Sequence, residues 1–160
     1  MVSLRSKGLD QIVNEETEIL ITGTFPSEKS RNQKQYYADS RNQFWNLMSF
    51  VLGIDLKKIE YNNRVSILKK HKIGLWDTIE SCEIGGSSDK NICNPQYNDF
   101  SHLTQIKKIV CNGGKVEETC NKHCNVLDGV QVVRVLSSSS ANNGAIGRPE
   151  EWKEAINILL

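Results

Sequence analysis

With 160 residues, 38% of them hydrophobic and 24% charged, the chain is long enough for one globular domain with a real core and too short for two comfortable ones. Its net charge of +1 does not announce a nucleic-acid binder. No apolar run reaches the roughly 18 residues of a membrane-spanning helix, and the opening Met-Val-Ser-Leu-Arg-Ser-Lys-Gly has no apolar segment of a secretory signal, so a cytosolic protein without a membrane partner is expected.

The first predicted strand covers residues 18–22 and ends in the turn Gly-Thr-Phe-Pro-Ser at 23–27. After a short spacer, residues 41–52 show helical periodicity, with Phe44, Trp45, Leu47, Met48, Val51 and Leu52 apolar and Gly53 a natural stop. Asn62 or Asn63 can cap a second helix running to about His71. Residues 73–79 read as a second strand, and the polar, glycine-containing stretch 80–95 as a long loop. A short helix is expected from Asp99 through Leu103, then a third strand over 107–111 and a helix from Lys115 to about Cys124. Residues 130–136 form a fourth strand, apolar enough to be central. A C-terminal helix runs over 149–159, with Pro149 at a first-turn position that suits it. Strands alternating with helices predict an α/β fold: a three-layer α/β/α sandwich around a mainly parallel four-stranded sheet, in one domain over 1–160.

Five cysteines, an odd number without an export signal, fit reduced thiols rather than a disulfide framework. Cys120 and Cys124 share a helix face, but a closed zinc site wants two close ligand pairs, so both read as helix face or core and no metal is expected. His71, His102 and His123 have no nucleophile beside them in a hydrolase pattern. Asp77 and Asp99 both fall at loop junctions, and Asp99 reads as a cap. The turn after the first strand lacks Gly-Lys-Ser/Thr, and Pro26 removes an N–H that a phosphate cradle would use.

Two stretches remain as ligand sites. In an open α/β sheet ligands bind beyond the carboxyl ends of the strands. That places the Gly23 turn beside Asn42, an amide two residues before Phe44. If the strands are parallel, the loop Leu-Ser-Ser-Ser-Ser-Ala-Asn-Asn at 136–143 lies at the same edge. Its hydroxyls, amides and backbone N–H groups suit phosphates and base edges, although a flexible serine linker has the same composition. Charge tilts the same way: residues 1–72 hold 12 Lys+Arg against 8 Asp+Glu, and residues 73–160 hold 8 against 11. Lys29, Arg31, Lys34 and Arg41 flank the first motif, which suits a phosphate backbone or a solvated loop face equally.

Taken together, Gly-Thr-Phe-Pro-Ser, Gln-Tyr-Tyr-Ala…Arg-Asn-Gln-Phe-Trp, Gly-Leu-Trp-Asp…Ser-Cys-Glu, Asn-Pro…Asn-Asp-Phe, Cys-Asn-Gly-Gly-Lys and Leu-Ser-Ser-Ser-Ser-Ala-Asn-Asn resemble the uracil-DNA glycosylase superfamily. The pattern is most similar to its hypoxanthine (deoxyinosine) branch, with the mismatch-specific uracil glycosylases next, and it runs in consistent order from about residue 18 to 145. The resemblance implies a cofactor-free, monofunctional enzyme, acting as a monomer on DNA that contains a damaged base. Such an enzyme flips a deaminated base, hypoxanthine or uracil, into a pocket and cleaves its N-glycosidic bond.

Relatives often carry a water-positioning Asn or Asp at the third residue of the first turn, where this chain has Phe25. The resemblance to the hypoxanthine branch moves that role to Asn42, whose alternative reading is a helix cap. It further implies a base pocket from Gly23, Thr24, Phe25, Phe44, Asn98 and Asn112, with Phe44 stacking on the base. DNA contacts fall to Ser27, Ser138, Ser139, Ser140, Asn142 and Asn143. The branch usually has prolines where this chain has Ser137 and Ala141. The rival reading is a catalytically silent nucleic-acid-binding module on the same fold, and a third is a hydrolase of free nucleosides.

Overall fold

A short strand, β1 (Arg5–Lys7), leads into β2 (Ile19–Thr22), the strand around which the molecule is organised; the computed structural model describes residues 5–85 and 89–157. In β2 successive side chains face opposite ways. Leu20 accordingly enters one hydrophobic cluster and Ile21 the other, and both are buried. The same alternation recurs in β6 (Lys108–Asn112), where Ile109 and Cys111 face one cluster and Val110 the other. A sheet with an apolar core on each face must be covered twice.

Four parallel strands form that sheet, in the order β3 (Ile73–Leu75), β2, β6, β7 (Gln131–Val135). One face is covered by α2 (Phe44–Leu52), α3 (Tyr61–Lys70) and α5 (Arg148–Ile156), which contribute Phe44, Trp45, Leu47, Met48, Leu68, Trp152 and Ile156. The other is covered by α4 (Gly114–His123) and the turns around Phe100, Leu103 and Ile106. This is the three-layer sandwich that the alternation of strands and helices predicts.

Local chemistry sets the boundaries. Ser27 caps a six-residue helix, α1 (Glu28–Gln33), by accepting from the Ser30 N–H at 3.2 Å. Gly53 ends α2 in the left-handed conformation at φ +68°, where its N–H reaches Ser49 O. Pro149 sits in the first turn of α5, and the Trp152 indole N–H donates to Leu136 O at 2.8 Å, tying that helix to the exit of β7.

Several expectations need correction. The fourth strand is not central: β7 lies at the edge of the sheet and its burial is incomplete, so its apolar run serves two half-covered faces. Residues 73–79 are not one strand. The parallel strand stops at Leu75, and Trp76–Thr78 swing the chain over the end of β2, where the Thr78 N–H and hydroxyl both donate to Gly23 O at 2.8 and 3.1 Å. The chain then enters β4 (Ile79–Glu83), which pairs antiparallel with β1 and with β5 (Cys93–Tyr97) in a second, three-stranded sheet where a long loop is expected. β5 is mostly exposed and carries Pro95, tolerable because it is an edge strand. Asp99 begins no helix; its carboxylate accepts the Ser101 N–H at 2.9 Å and consecutive turns follow. The C-terminal helix is described to Ile156, and residues 158–159 of the expected helix lie outside the described residues.

Candidate active site

Because β3, β2, β6 and β7 run parallel, their carboxyl ends share one edge, and a cleft of about 560 Å³ opens there. Asp77 arrives just beyond β3, Gly23 beyond β2, Asn112 at the end of β6, and the serine loop after β7. The strand order reverses direction at β2, with β3 on one side and β6 on the other. A crevice at such a switch point is where α/β sheets bind ligands.

Asn112 is the hinge of the cleft wall. Its amide donates to Ser138 Oγ at 2.9 Å and to the Tyr37 hydroxyl at 3.1 Å, while its Oδ1 accepts the Ser138 N–H at 2.8 Å. This side chain lines the cleft with its bonding committed to the wall itself. It joins three segments far apart in the chain.

Asn42 stands where α2 begins. Its Oδ1 accepts the Phe44 N–H at 2.9 Å, so it caps the helix, and it is half-buried on the cleft surface. An amide oxygen has two lone pairs, so this cap leaves one for a water. The neighbouring Gln43 N–H donates to Ser138 O at 2.9 Å, which locks the helix start against the serine loop. Asp39, close by, takes two side-chain bonds from the Arg41 guanidinium at 3.1 and 2.8 Å and one from the Arg41 N–H. These bonds hold its carboxyl down at about 2.

Gly23, Thr24, Phe25 and Ser27 all border the cleft, as the turn after a buried strand predicts. Phe25 is half-buried with the Arg31 guanidinium 5.3 Å from its ring centre. Phe44, expected to stack on a ligand, is not on the lining: it is fully buried, with Tyr37 stacked on it at 3.9 Å and 19° and Trp45 and Trp152 edge-on. Tyr37, stacked over it, reaches the cleft, as Phe25 and Tyr36 also do. It sits at φ +56°, an uncommon conformation for a bulky residue and one that local sequence does not announce. Burial pushes its phenol well above the ordinary range, the charge of Asp77 adds to that, and the Asn112 bond opposes it.

Asn98 is also absent from the lining. It donates from Nδ2 to Asp77 O and from its backbone to Thr78 O, both at 2.8 Å, so it braces the 76–78 turn from behind. The residue it braces, Asp77, is noted in the sequence as a carboxylate at a loop junction but is given no role there. Asp77 is 7% exposed, borders the cleft, and accepts the Gly23 N–H on Oδ1 at 3.0 Å. A carboxylate immediately after a buried strand end was the available signal.

The serine loop is not a flexible linker. Arg148, itself buried, donates to Ser137 O at 3.1 Å, Ser139 O at 3.0 Å and Asn143 Oδ1 at 3.1 Å. Ser139 and Ser140 are exposed at the cleft mouth, and Ser138 is buried in the Asn112 brace. Asn142 and Asn143 do not border the cleft. Asn142 bonds Ser137 at 3.2 and 2.8 Å, and Asn143 holds Arg148. Among the described residues no group of three or more His, Cys, Asp or Glu is arranged to hold a metal; Cys120 and Cys124 are core residues beside Cys111.

A parallel-sheet sandwich with a polar crevice at its switch point is a ligand-binding architecture, and comparison with known proteins makes its family specific. The uracil DNA glycosylase superfamily matches residues 11–160. Two proteins named hypoxanthine DNA glycosylase align over nearly the whole length. The one from Methanosarcina barkeri is 35% identical over 156 residues, 95% of this chain and 98% of its own. The one from Methanosarcina acetivorans is 34% identical over 154 residues, 92% and 95% respectively. A solution NMR structure of a Methanosarcina acetivorans protein, provisionally assigned as a uracil DNA glycosylase, superposes with a TM-score of 0.82 at 32% identity, covering 96% of this chain and 97% of its own. This chain belongs to the uracil DNA glycosylase superfamily, in its hypoxanthine DNA glycosylase branch.

Proposed function

We propose that this protein is a monofunctional DNA glycosylase that extrudes hypoxanthine or uracil from DNA and hydrolyses its N-glycosidic bond with a water held by Asn42. The carrying observation is Asn42 itself: an amide fixed by its bond to the Phe44 N–H, on the surface of a cleft large enough for a base. The cap removes the side chain's freedom, so its remaining lone pair points one way, and a water accepted there is pre-oriented. That water adds its oxygen to C1′ as the C1′–N bond breaks. The bond's electron pair leaves with the base, and the water's proton ends on the departing base. An amide suffices because the transition state is oxocarbenium-like, which asks for placement rather than strong basicity.

Phe25 supplies a ring face for the flipped base, and Ser27, Ser139 and Ser140 at the mouth are hydroxyls for the flanking phosphates. Asn112 and Ser138 support the wall.

The test is release of base from oligonucleotides containing deoxyinosine or deoxyuridine. Asn42→Ala is expected to lower the rate by about 100-fold or more, in line with loss of a positioned catalytic group. Asn42→Ser keeps a capping oxygen and separates the roles: it should restore most of the melting temperature without restoring the rate. No abasic product from either substrate sinks the reading, and a fully active Asn42→Ala removes that residue from the mechanism.

Two observations favour the silent binding module instead: the Asn42 oxygen already serves as a cap, and Phe25 stands where relatives often place a water-holding residue. Tight binding to an abasic duplex without turnover selects that alternative.

A further inference from the structure

Hydrolysis explains how a base leaves, but not why only a deaminated one should. The orientation of the Asn112 amide bears on that choice. A backbone N–H can only donate, so the Asn112 atom facing the Ser138 N–H at 2.8 Å must be its oxygen. The other atom is then the NH₂ nitrogen, and both of its hydrogens are spent on hydroxyls: Ser138 Oγ at 2.9 Å and the Tyr37 oxygen at 3.1 Å. An amide nitrogen accepts nothing. Among the described residues both hydroxyls therefore enter the wall as acceptors, and each keeps its single O–H to give.

Asn112, Ser138 and Tyr37 all border the cleft. The two hydrogens of one planar amide point apart, so the hydroxyls they hold flank a gap instead of touching. An oxygen set in that gap can take both O–H groups. Gly23 faces the phenol, and a β-carbon built there would lie 3.3 Å from the Tyr37 oxygen, so its absence leaves that oxygen clear. Both donors are ordered in advance. Tyr37 is held by its stack on Phe44, and Ser138 is buried with its carbonyl accepting the Gln43 N–H. Burial pushes the phenol well above its ordinary range, so the proton stays on it.

Two donors set for one oxygen match a carbonyl and not an amino group. Deamination makes that exchange: the amino group of adenine becomes O6 of hypoxanthine, and that of cytosine becomes O4 of uracil. We propose that the Tyr37 and Ser138 hydroxyls are the specificity-determining pair of this site, both donating to the carbonyl oxygen that deamination creates. The proposal rests on the base-excision reading above and adds to it the atom that is read. An amino group in that place brings hydrogens instead of lone pairs, so both O–H groups lose their acceptor. The pair acts on the rate as well. As the C1′–N bond breaks, its electron pair moves onto the base and part of the charge reaches the carbonyl oxygen. The hydroxyls keep their protons and bind that oxygen more strongly, while the base takes its own proton from the attacking water. Guanine carries the same carbonyl and is held back earlier, by the cost of extruding a matched base.

The test is single-turnover release of hypoxanthine, uracil, adenine and unsubstituted purine from otherwise identical mismatched oligonucleotides. Wild type, Tyr37→Phe and Ser138→Ala are compared, with a thermal melt of each protein. Purine has a hydrogen where hypoxanthine has O6. Each variant is expected to lose about 10- to 100-fold on hypoxanthine and uracil, the worth of one hydrogen bond to an oxygen gaining charge, and to release purine and adenine as wild type does. Equal losses on all bases overturn the proposal: the hydroxyls then only support the wall or hold a backbone phosphate, which every substrate shares. Unchanged release of the deaminated bases overturns it too.

If a variant does not fold, or wild type releases only the deaminated bases, 3-fluorotyrosine at position 37 decides. A stronger O–H donor of nearly the same shape should speed their release, and an unchanged or slower rate overturns the proposal. Wild type releasing none of the four bases is a different failure, that of the base-excision reading itself.

Discussion

Gly23 shows how much a single position carries. Its N–H bonds Asp77, its carbonyl accepts twice from Thr78, and its missing β-carbon keeps the cleft open between Asp77 and Tyr37. Gly23→Ala puts a methyl 2.9 Å from Asp77 Oδ1, an oxygen that cannot retreat without losing the Gly23 bond. Such overpacking costs about 1–3 kcal/mol. We expect a measurable drop in melting temperature together with a rate loss of about 100-fold, because misplacing a positioned group by an ångström is enough. Asp39 makes a second prediction at this scale. Its carboxyl is depressed to about 2 chiefly by the Arg41 side chain, and in Arg41→Ala it should rise toward the ordinary ~3.9 without reaching it, because the residue-41 N–H still donates to it. A carboxyl carbon chemical-shift titration reads this directly. The sign is that of a depressed acid: the pair's stabilisation is present above the unfolded-state pKa and lost as pH falls toward 2. Arg41 is 81% exposed, so that stabilisation is small, and the titration is the more sensitive measurement.

Around the cleft, elements are held together through their ends. The start of α2 is capped by Asn42 and latched to Ser138, and the loop holding Ser138 is pinned by Arg148 from the first turn of α5. One guanidinium thus sets the geometry of the mouth without lining it. Arg148→Met should leave the sheet intact but free Ser137–Asn143, seen as faster amide hydrogen exchange confined to that loop and a lower rate of base release. Arg148→Lys should not rescue it, because an ammonium cannot reproduce the fork that spans three acceptors. Unchanged exchange in the loop would show that Arg148 is not its anchor. The same end-on logic explains what local pattern could not reveal. The α1 helix is six polar residues held by one serine cap, and β4 and β5 have too few buried positions to leave an alternation that reads as strand. By contrast β2, α2, α3 and α4 each carry a period or an identifiable stop and are legible from sequence, although α3 begins at Tyr61, so Asn62 and Asn63 lie inside it rather than capping it.

Across the whole molecule, charge is nearly balanced, and the cleft carries few cations: Arg41 and Lys90 on its lining and Arg31 beside Phe25. If the protein acts on DNA as proposed, about three phosphates are neutralised, and the logarithm of the binding constant should fall against the logarithm of salt with a slope of about −3. A slope twice as steep would mean that a larger surface than the cleft engages the duplex. Affinity on this scale comes from the extruded base more than from the backbone. That fits a site whose polar groups are gathered inside a crevice rather than spread over a face.

The sequence by itself determined the layers and the place of the crevice. Alternating apolar positions in Ile19–Thr22 and Lys108–Asn112 require a sheet covered on both sides, and the Gly23 turn and Asn42 are marked by local chemistry that needs no distant partner. Only the tertiary structure decided which side chains face the ligand. Asn112 meets Tyr37 across 75 residues of chain and Ser138 across 26, and Asp77 meets Gly23 across 54. Tyr37, to which the sequence assigns no role, borders the cleft in place of Phe44, because a left-handed backbone at Tyr37 lays its ring over Phe44. Periodicity reports how a residue is buried relative to its neighbours in sequence. The orientation of a cleft residue is set by hydrogen bonds that exist only after the sheet has brought four strand ends to one edge.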